Sequence, residues 1–265
     1  MRSLDAYLDA VARPATRTED IGPFTLFVNE GRGWRYYARP TPGVRGVTES
    51  DVVTVRARQR ELAQPEDFEW IVDLTPDVGP ACAATGLHVV EGRPLMVLPR
   101  DRFTPVGPPD GAEARFVSPD DDLATMLAIA AVAYSSPGTD IGEEGPDALA
   151  KHASDEREDV LDFQRERIAS MRTICVWAWA DGRPVASGAH QPIDGTTEIV
   201  GVATLPAYRR RGLGALVTSV LAADAFARGI ETVLLSAGNE TIARIYARLG
   251  FERVGTVGDA TLGAH

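Results

Sequence analysis

The sequence has few of the features that would set it apart from an ordinary globular protein. It contains two cysteines, Cys82 and Cys175, whose wide separation fits neither a metal-ligand nor a redox spacing. We therefore expect two buried thiols, no disulfide framework and no metal site. No stretch approaches the roughly 20 apolar residues that a membrane helix needs, and the first residues lack the apolar run of a signal peptide. These absences predict a cytoplasmic protein without a membrane partner.

An excess of positive charge is missing too. The formal net charge is -11 at pH 7, which argues against a surface that binds nucleic acid and gives a weak hint of a cationic ligand. The chain is 44% hydrophobic and 25% charged, the composition of a globular protein with a sizeable core. Its 265 residues suffice for one large domain or two of ordinary size.

A break in the pattern divides the chain. Residues 99–112 carry four prolines and two glycines among charged residues, a composition that interrupts regular structure. We therefore predict one domain over residues 1–110 and a second over residues 111–265.

The second segment alternates strands and helices, with apolar periodicity and turn signals marking each element. Asp181-Gly182 and Asp194-Gly195 are typical of hairpin turns. The order predicts a mixed α/β fold in which an antiparallel meander leads into a parallel crossover. The predicted elements are a strand at 114–117, a helix at 122–134, a loop at 135–148, a helix within 155–172, strands at 173–180, 184–190 and 197–204, a helix from 213 to 228, a strand at 232–236, a helix at 240–249 and closing strands from 251.

The first segment repeats part of this plan. In both segments a helix is stopped by a glycine, Gly86 or Gly250, and an apolar residue and a strand follow. This similarity predicts a degenerate internal duplication. The predicted elements are strands at 24–28, 34–38, 68–72, 87–90 and 95–98 and helices at 48–62 and 76–86.

The most informative motif is a basic, glycine-containing turn between a strand and a helix. Three arginines precede Gly212 and Gly214, and an apolar stripe of helical period begins at Leu213. The first amides of a helix have no intrahelical partner and lie at the positive end of its dipole. Since glycines leave those amides accessible, the motif predicts a phosphate site.

The turn and a downstream segment resemble the GNAT superfamily of N-acetyltransferases. Arg209-x-x-Gly212-x-Gly214 matches that family's pyrophosphate motif, and Asn239 to Phe251 resembles its second cofactor segment, Asn…Ala-x-x-Tyr-x-x-x-Gly-Phe. The resemblance covers about residues 113–265. A dinucleotide-binding unit fits poorly, because the third glycine is missing and a meander precedes the turn.

The resemblance implies a mixed, mostly antiparallel sheet flanked by helices, in two tandem GNAT-like domains. It also implies transfer of an acetyl group from acetyl-CoA to an amine, by direct attack in a ternary complex. Under this reading the backbone at the end of a strand pairs with the pantetheine arm, the basic turn takes the pyrophosphate, and Asn239 contacts the cofactor. The cofactor-binding residues would be Val202, Ala203, Thr204, Arg209, Arg210, Arg211, Gly212, Leu213, Gly214, Asn239 and Tyr246.

Two side chains are candidates for proton transfer. Tyr246 would lie near the thioester sulfur, where a phenol with a pKa of about 10 can protonate a leaving thiolate. Glu198 is the candidate general base, because many family members place a carboxylate on this strand. Each has a structural alternative: Tyr246 as a packing aromatic, Asn239 as a helix N-cap and Glu198 as a solvated strand residue. A structural role is favoured for His190.

Other questions stay open at this point. The first domain has no glycine turn, and the prolines of Arg39-Pro-Thr-Pro remove N–H donors, so we expect no CoA site there. The alternative function is a catalytically silent module that binds acyl-CoA as a sensor. The acceptor, a small-molecule or peptide amine, would be selected by a loop near residues 135–150, and the oligomeric state, a homodimer included, is undetermined.

Overall fold

The computed structural model describes residues 4–31 and 35–263, and these form two compact units. The first unit takes the described residues up to Met96, with Ser236–Glu240 and residues 253–263; the second takes Val97–Leu235 and Thr241–Glu252. This division differs from a split at residue 110. Residues 97–110 group with the second unit, where the Val106 amide donates to Ser219 Oγ at 3.0 Å, and the last strand of the chain groups with the first.

The first unit consists of two sets of strands with three helices. A three-stranded antiparallel sheet has the order β1-β2-β3, and a second set has the order β4-β11-β5, in which β11 runs antiparallel to β4. A parallel bridge joins Ala38 to Phe68, at the start of β4. The elements are α1 (Leu4–Ala12), β1 (Arg17–Ile21), β2 (Phe24–Val28), β3 (Arg39–Pro40), α2 (Glu49–Glu61), β4 (Phe68–Ile71), α3 (Val78–Ala84) and β5 (His88–Leu98), with β11 (Glu252–Thr261) from the end of the chain.

An apolar core and a buried ion network hold this unit together. Phe24 and Phe68 meet edge to face at 5.3 Å between ring centroids, within a core that also contains Trp70 and Cys82. Glu69, on the buried strand β4, accepts from Arg39 and Arg93. Burying this carboxylate is tolerated because two guanidinium groups lower its pKa against the opposing effect of desolvation.

The second unit is a mixed sheet with helices packed on it. Its strands have the order β10-β9-β8-β7-β6, and all neighbours are antiparallel except the pair β9 and β10. The elements are β6 (Ala112–Phe116), α4 (Leu123–Ser135), α5 (Leu149–Ser154), α6 (Glu158–Ala169), β7 (Ile174–Ala180), β8 (Arg183–Ile193), β9 (Thr196–Thr204), α7 (Leu213–Ala227), β10 (Thr232–Ser236) and α8 (Glu240–Ala247).

Local sequence explains the meander of this unit. Asp181 and Gly182 have φ values of 55° and 72°, and Asp194 and Gly195 have values of 46° and 79°. Two successive residues with positive φ form the primed turns that match the twist of antiparallel strands. Both predicted hairpins, β7–β8 and β8–β9, are therefore confirmed.

The two halves of the chain share an element order. The sequence β1-β2-β3-α2-β4-α3-β5 in the first corresponds to β7-β8-β9-α7-β10-α8-β11 in the second half of the chain. In each copy, the strand before the first helix of this order has a parallel partner after that helix. The fold is thus the predicted mixed, mostly antiparallel α/β arrangement, repeated in tandem.

Several predicted elements of the first half need correction. The strand predicted at 34–38 is absent over Arg35–Tyr37, and Trp34 lies outside the described residues. The aromatic residue Tyr36 instead packs on Phe27 at 6.2 Å. The strands predicted at 87–90 and 95–98 are one strand, β5, because the Ala237 amide donates to Pro94 O at 2.9 Å and keeps the pairing continuous.

Two further features bear on the sequence-based expectations. Neither α1 nor β1 was expected from the sequence, whereas both cysteines are buried and free, as predicted. Among the described residues, no helix is both long and apolar enough to cross a membrane.

Candidate active site

The basic turn lies between β9 and α7 and leaves the first turn of α7 open. Gly212 is the N-cap residue, with a φ of 80°, and no side chain of the described residues caps this helix end. Positive φ suits glycine, since a Cβ is disfavoured there. The unpaired amides at the start of this 15-residue helix therefore face outward with the positive end of its dipole.

Gly214 keeps the space beside these amides free. A Cβ built on Gly214 would lie 3.7 Å from Thr204 Oγ1 and 3.8 Å from Val202 Cγ1, which are ordinary contact distances. A side chain at this position would therefore contact the end of β9 beside the first amides of α7. With glycine here, no side chain of residue 214 covers those amides.

The three arginines of the turn have different surroundings. Arg209 donates to backbone carbonyls, among them Ala133 O at 2.8 Å and Ser136 O at 2.6 Å. Arg210 is exposed and its Nη1 lies 3.9 Å from an Asp140 carboxylate oxygen. Arg211 lies 3.4 Å from an oxygen of the exposed Asp181 and 4.9 Å above the Tyr208 ring. Exposed ion pairs of this kind are weak, so Arg210 and Arg211 can exchange them for an anionic ligand.

Strand β9 separates from β10 beside this turn. The two strands pair in parallel only over Thr196–Glu198 of β9, while β8 continues to pair with β9 as far as Thr204. Gly201 has a φ of 64° and lies at a register shift between β8 and β9, the signature of a β-bulge. Within the described residues, the backbone of Ile199–Thr204 thus has one edge with no neighbouring strand. This edge contains Val202, Ala203 and Thr204.

The other predicted site residues have different surroundings. Glu198 is partly buried at the last residue pair before β9 and β10 separate. Asn239 is exposed and immediately precedes α8, in the segment that groups with the first unit. Tyr246 lies on α8 and is half-buried, with its ring 5.8 Å from that of Phe251.

A second phenol, which the sequence did not single out, lies close to Tyr246. Burial raises the pKa of the Tyr246 hydroxyl, and the electrostatic influence of Tyr134 raises it further. Burial likewise raises the pKa of Tyr134, although 52% of this residue's surface is exposed. The sequence signal for Tyr134 was modest: an aromatic residue in the last turn of α4, just before the Ser-Ser-Pro-Gly loop.

His190 has a structural position. It is fully buried, with Nδ1 2.9 Å from Thr197 Oγ1 and Nε2 3.0 Å from Asp224 Oδ2. Asp224 also binds Arg228. Desolvation lowers the pKa of His190, against the opposing effect of Asp224. The imidazole thus links β8, β9 and α7, as expected for a histidine with a structural role.

The corresponding helix of the first unit, α2, begins differently. Thr48 is its N-cap residue, and its hydroxyl accepts from the Asp51 amide while the Asp51 carboxylate accepts from the Thr48 amide. This capping box satisfies the Thr48 and Asp51 amides and places a negative charge at the start of α2. The start of α2 thus differs from that of α7 in having a side-chain cap and a carboxylate beside it.

Comparisons with known proteins agree on one family. Residues 142–251 match the sequence model of the acetyltransferase (GNAT) family. A GCN5-related N-acetyltransferase from Kribbella flavida is similar at 25% identity and a TM-score of 0.74, with 99% of this chain and 95% of that chain covered. A tandem GNAT protein from the clavulanic acid biosynthesis pathway shares the fold at 15% identity and a TM-score of 0.61, with 97% and 88% covered. No curated protein sequence gives a significant match.

Proposed function

We propose that the chain transfers the acetyl group of acetyl-CoA to an amine. The starting point is the match of residues 142–251 to the GNAT acetyltransferase family. The observation that carries the proposal is the open start of α7, with its uncapped amides, beside the unpaired edge of β9. These two features are complementary to the two ends of one ligand, a diphosphate and an amide-containing pantetheine arm.

The residues of this region suit the cofactor. The amides from Gly212 to Gly214 would bind the diphosphate, and the side chains of Arg210 and Arg211 would add charge to its binding. The free backbone edge of Val202–Thr204 would hydrogen-bond the pantetheine amides, as a strand pairs with its neighbour. Asn239 would contact the arm at the start of α8. Bound acetyl-CoA would supply an acetyl group activated as a thioester.

Two residues would handle protons. Tyr246 would donate a hydrogen bond, and then a proton, to the sulfur that leaves. Its raised pKa supports the protonated state at neutral pH, so the phenol is present as a donor when the amine attacks. Glu198, at the point where the strands diverge, would accept a proton from the attacking amine, directly or through water. A small-molecule or peptide amine is the acceptor class that this chemistry requires.

The decisive experiment measures CoA release from acetyl-CoA with a panel of primary amines, comparing wild type with Tyr246→Phe. The proposal expects release that depends on an amine, and a drop of roughly 10²–10⁴-fold in kcat for the variant, the usual range for a lost general acid. CoA affinity, measured by calorimetry, should stay similar in both proteins. Tight CoA binding with only an amine-independent background in both would instead support the sensor function.

A further inference from the structure

Arg209 belongs to the basic turn, yet its guanidinium is occupied by contacts with the backbone. Its N–H groups donate to four backbone carbonyls: Thr204 at 3.4 Å, Asp140 at 3.2 Å, Ala133 at 2.8 Å and Ser136 at 2.6 Å. A guanidinium has five N–H donors, so these contacts use most of them. To bind a phosphate, Arg209 would have to leave this set of acceptors.

The acceptors explain why a cation is stable here. Ala133 lies in the last turn of α4, and Ser136 is its C-cap residue. The last carbonyls of a helix have no intrahelical partner and form the negative end of its dipole. Arg209, a residue of the basic turn, therefore caps the C-terminus of α4.

A second set of contacts joins the same two segments independently of Arg209. The Gly142 amide donates to Pro206 O at 3.2 Å, and the Ala207 amide donates to Glu144 O at 3.0 Å. A Cβ on Gly142 would come within 2.8 Å of Pro206 Cβ. Residues 136–145, hereafter the α4–α5 loop, are thus held close against the connection between β9 and α7.

We propose that Arg209 is a positioning residue, which fastens the α4–α5 loop to the basic turn and so keeps the amine site aligned with the cofactor site. This inference rests on the proposed function. Tyr134, in the last turn of α4, is held by the same contacts, since Arg209 binds the carbonyls on either side of it. Cofactor binding at the turn thereby stabilises the position of the loop and of Tyr134.

Hydrogen exchange measured by mass spectrometry tests this linkage with CoA as the only probe. In the absence of CoA, Arg209→Gln should raise exchange about tenfold in peptides that cover 137–145, because its charge-assisted hydrogen bonds are lost. Gly142→Val should have the same effect without a change of charge. In wild type, CoA should slow exchange both at 206–214 and at 137–145; in the two variants it should slow exchange at 206–214 alone. Arg165→Gln, at a side chain that pairs with Glu158 and Asp162 of its own helix α6, is the matched control.

The KM for the amine and the Kd for CoA together distinguish a positioning role of Arg209 from a role in binding the phosphate. With the best amine from the panel, Arg209→Gln and Gly142→Val should raise the KM for the amine by about 10- to 100-fold, the effect of a small misplacement, and leave the Kd for CoA within about twofold. Arg211→Glu should do the reverse, because it places a carboxylate near the diphosphate.

Two results would overturn the inference. One is unchanged exchange at 137–145 in Arg209→Gln; the other is a loss of CoA affinity in this variant as large as in Arg211→Glu. Failure of the proposed function has a separate signature, namely absence of CoA binding by wild type. The exchange comparison without CoA still tests the fastening in that case.

Discussion

Two helices at corresponding places in the tandem repeat, α2 and α7, begin in opposite ways. Thr48 and Asp51 form a side-chain cap at the start of α2, whereas α7 follows Gly212 and has no side-chain cap among the described residues. A carboxylate occupies the dipole end of α2, and arginines precede that of α7. The start of the helix is therefore less suited to an anion in the first copy than in the second.

The next helix of each copy, α3 in the first and α8 in the second, also differs at a corresponding position. Counting back four residues from the terminating glycine gives Cys82 in α3 and Tyr246 in α8. Cys82 is fully buried, and burial raises the pKa of its thiol to about 12, so it is inert. Tyr246 is only partly buried and carries a hydroxyl in place of the thiol. A shared fold thus leaves function to a few side chains, which in the first unit have become structural.

A side chain at position 214 should have the largest effect, which we expect on the affinity for CoA. Gly214→Val adds a side chain between α7 and β9, where the diphosphate would meet the amides. Losing one or two charge-assisted hydrogen bonds, each about 1.5–3 kcal/mol, should raise the Kd for CoA by roughly 10- to 10⁴-fold in calorimetry.

The control for this change is Ala223→Val, at an exposed position of the same helix. It adds the same β-branched side chain to α7, at a cost in helix propensity of a few tenths of a kcal/mol, but lies more than two turns away from Gly214. Unchanged CoA affinity in a folded Gly214→Val protein would show that the ligand does not use this end of α7.

The sequence was sufficient for most of the second unit because local signals there agree with the fold. The Asp-Gly turns, the helix-ending glycines and the apolar stripe of α7 each occur within a few residues of the element that they define. In the first unit the decisive interactions are between residues distant in sequence. Pro94 lies within a strand because its carbonyl accepts from Ala237, and no pattern around residue 94 contains that information.

In the candidate site, too, some features follow from the local sequence and others from contacts with distant residues. Gly212 and Gly214 were recognisable, since the absence of a side chain is itself the local signal. The direction of the Arg209 guanidinium was not, because it depends on the end of α4, more than 70 residues earlier. Gly201 was a missed opportunity: an isolated glycine within a strand pattern is a known sign of a bulge, and here it accompanies the separation of β9 from β10.

Removing the cap of α2 should have a smaller effect, on stability alone. Thr48→Ala loses the hydroxyl that accepts from the Asp51 amide, so we expect a decrease of about 1 kcal/mol in the free energy of unfolding, or roughly 2–4 °C in thermal unfolding. Ser50→Ala, an exposed substitution in the same turn, should change little. CoA affinity should be unaffected, because the Asp51 carboxylate still repels anions. A marked change in CoA binding would show that the first copy takes part in the site after all.

The smallest effect is expected from alkaline pH, and it separates Tyr246 from an ordinary tyrosine. Because the pKa of Tyr246 is raised in the folded protein, its hydroxyl stays protonated above the usual value of about 10. A group with a raised pKa loses its proton later as pH increases, so the donor form should persist across the whole accessible range. The kcat of wild type should then show no tyrosine-dependent decrease between pH 7 and about 10, and the ratio of wild type to Tyr246→Phe should be constant over that interval. A ratio that falls with an apparent pKa below about 10 would mean that the phenol is solvated in the working enzyme and that Tyr246 does not act as a buried proton donor.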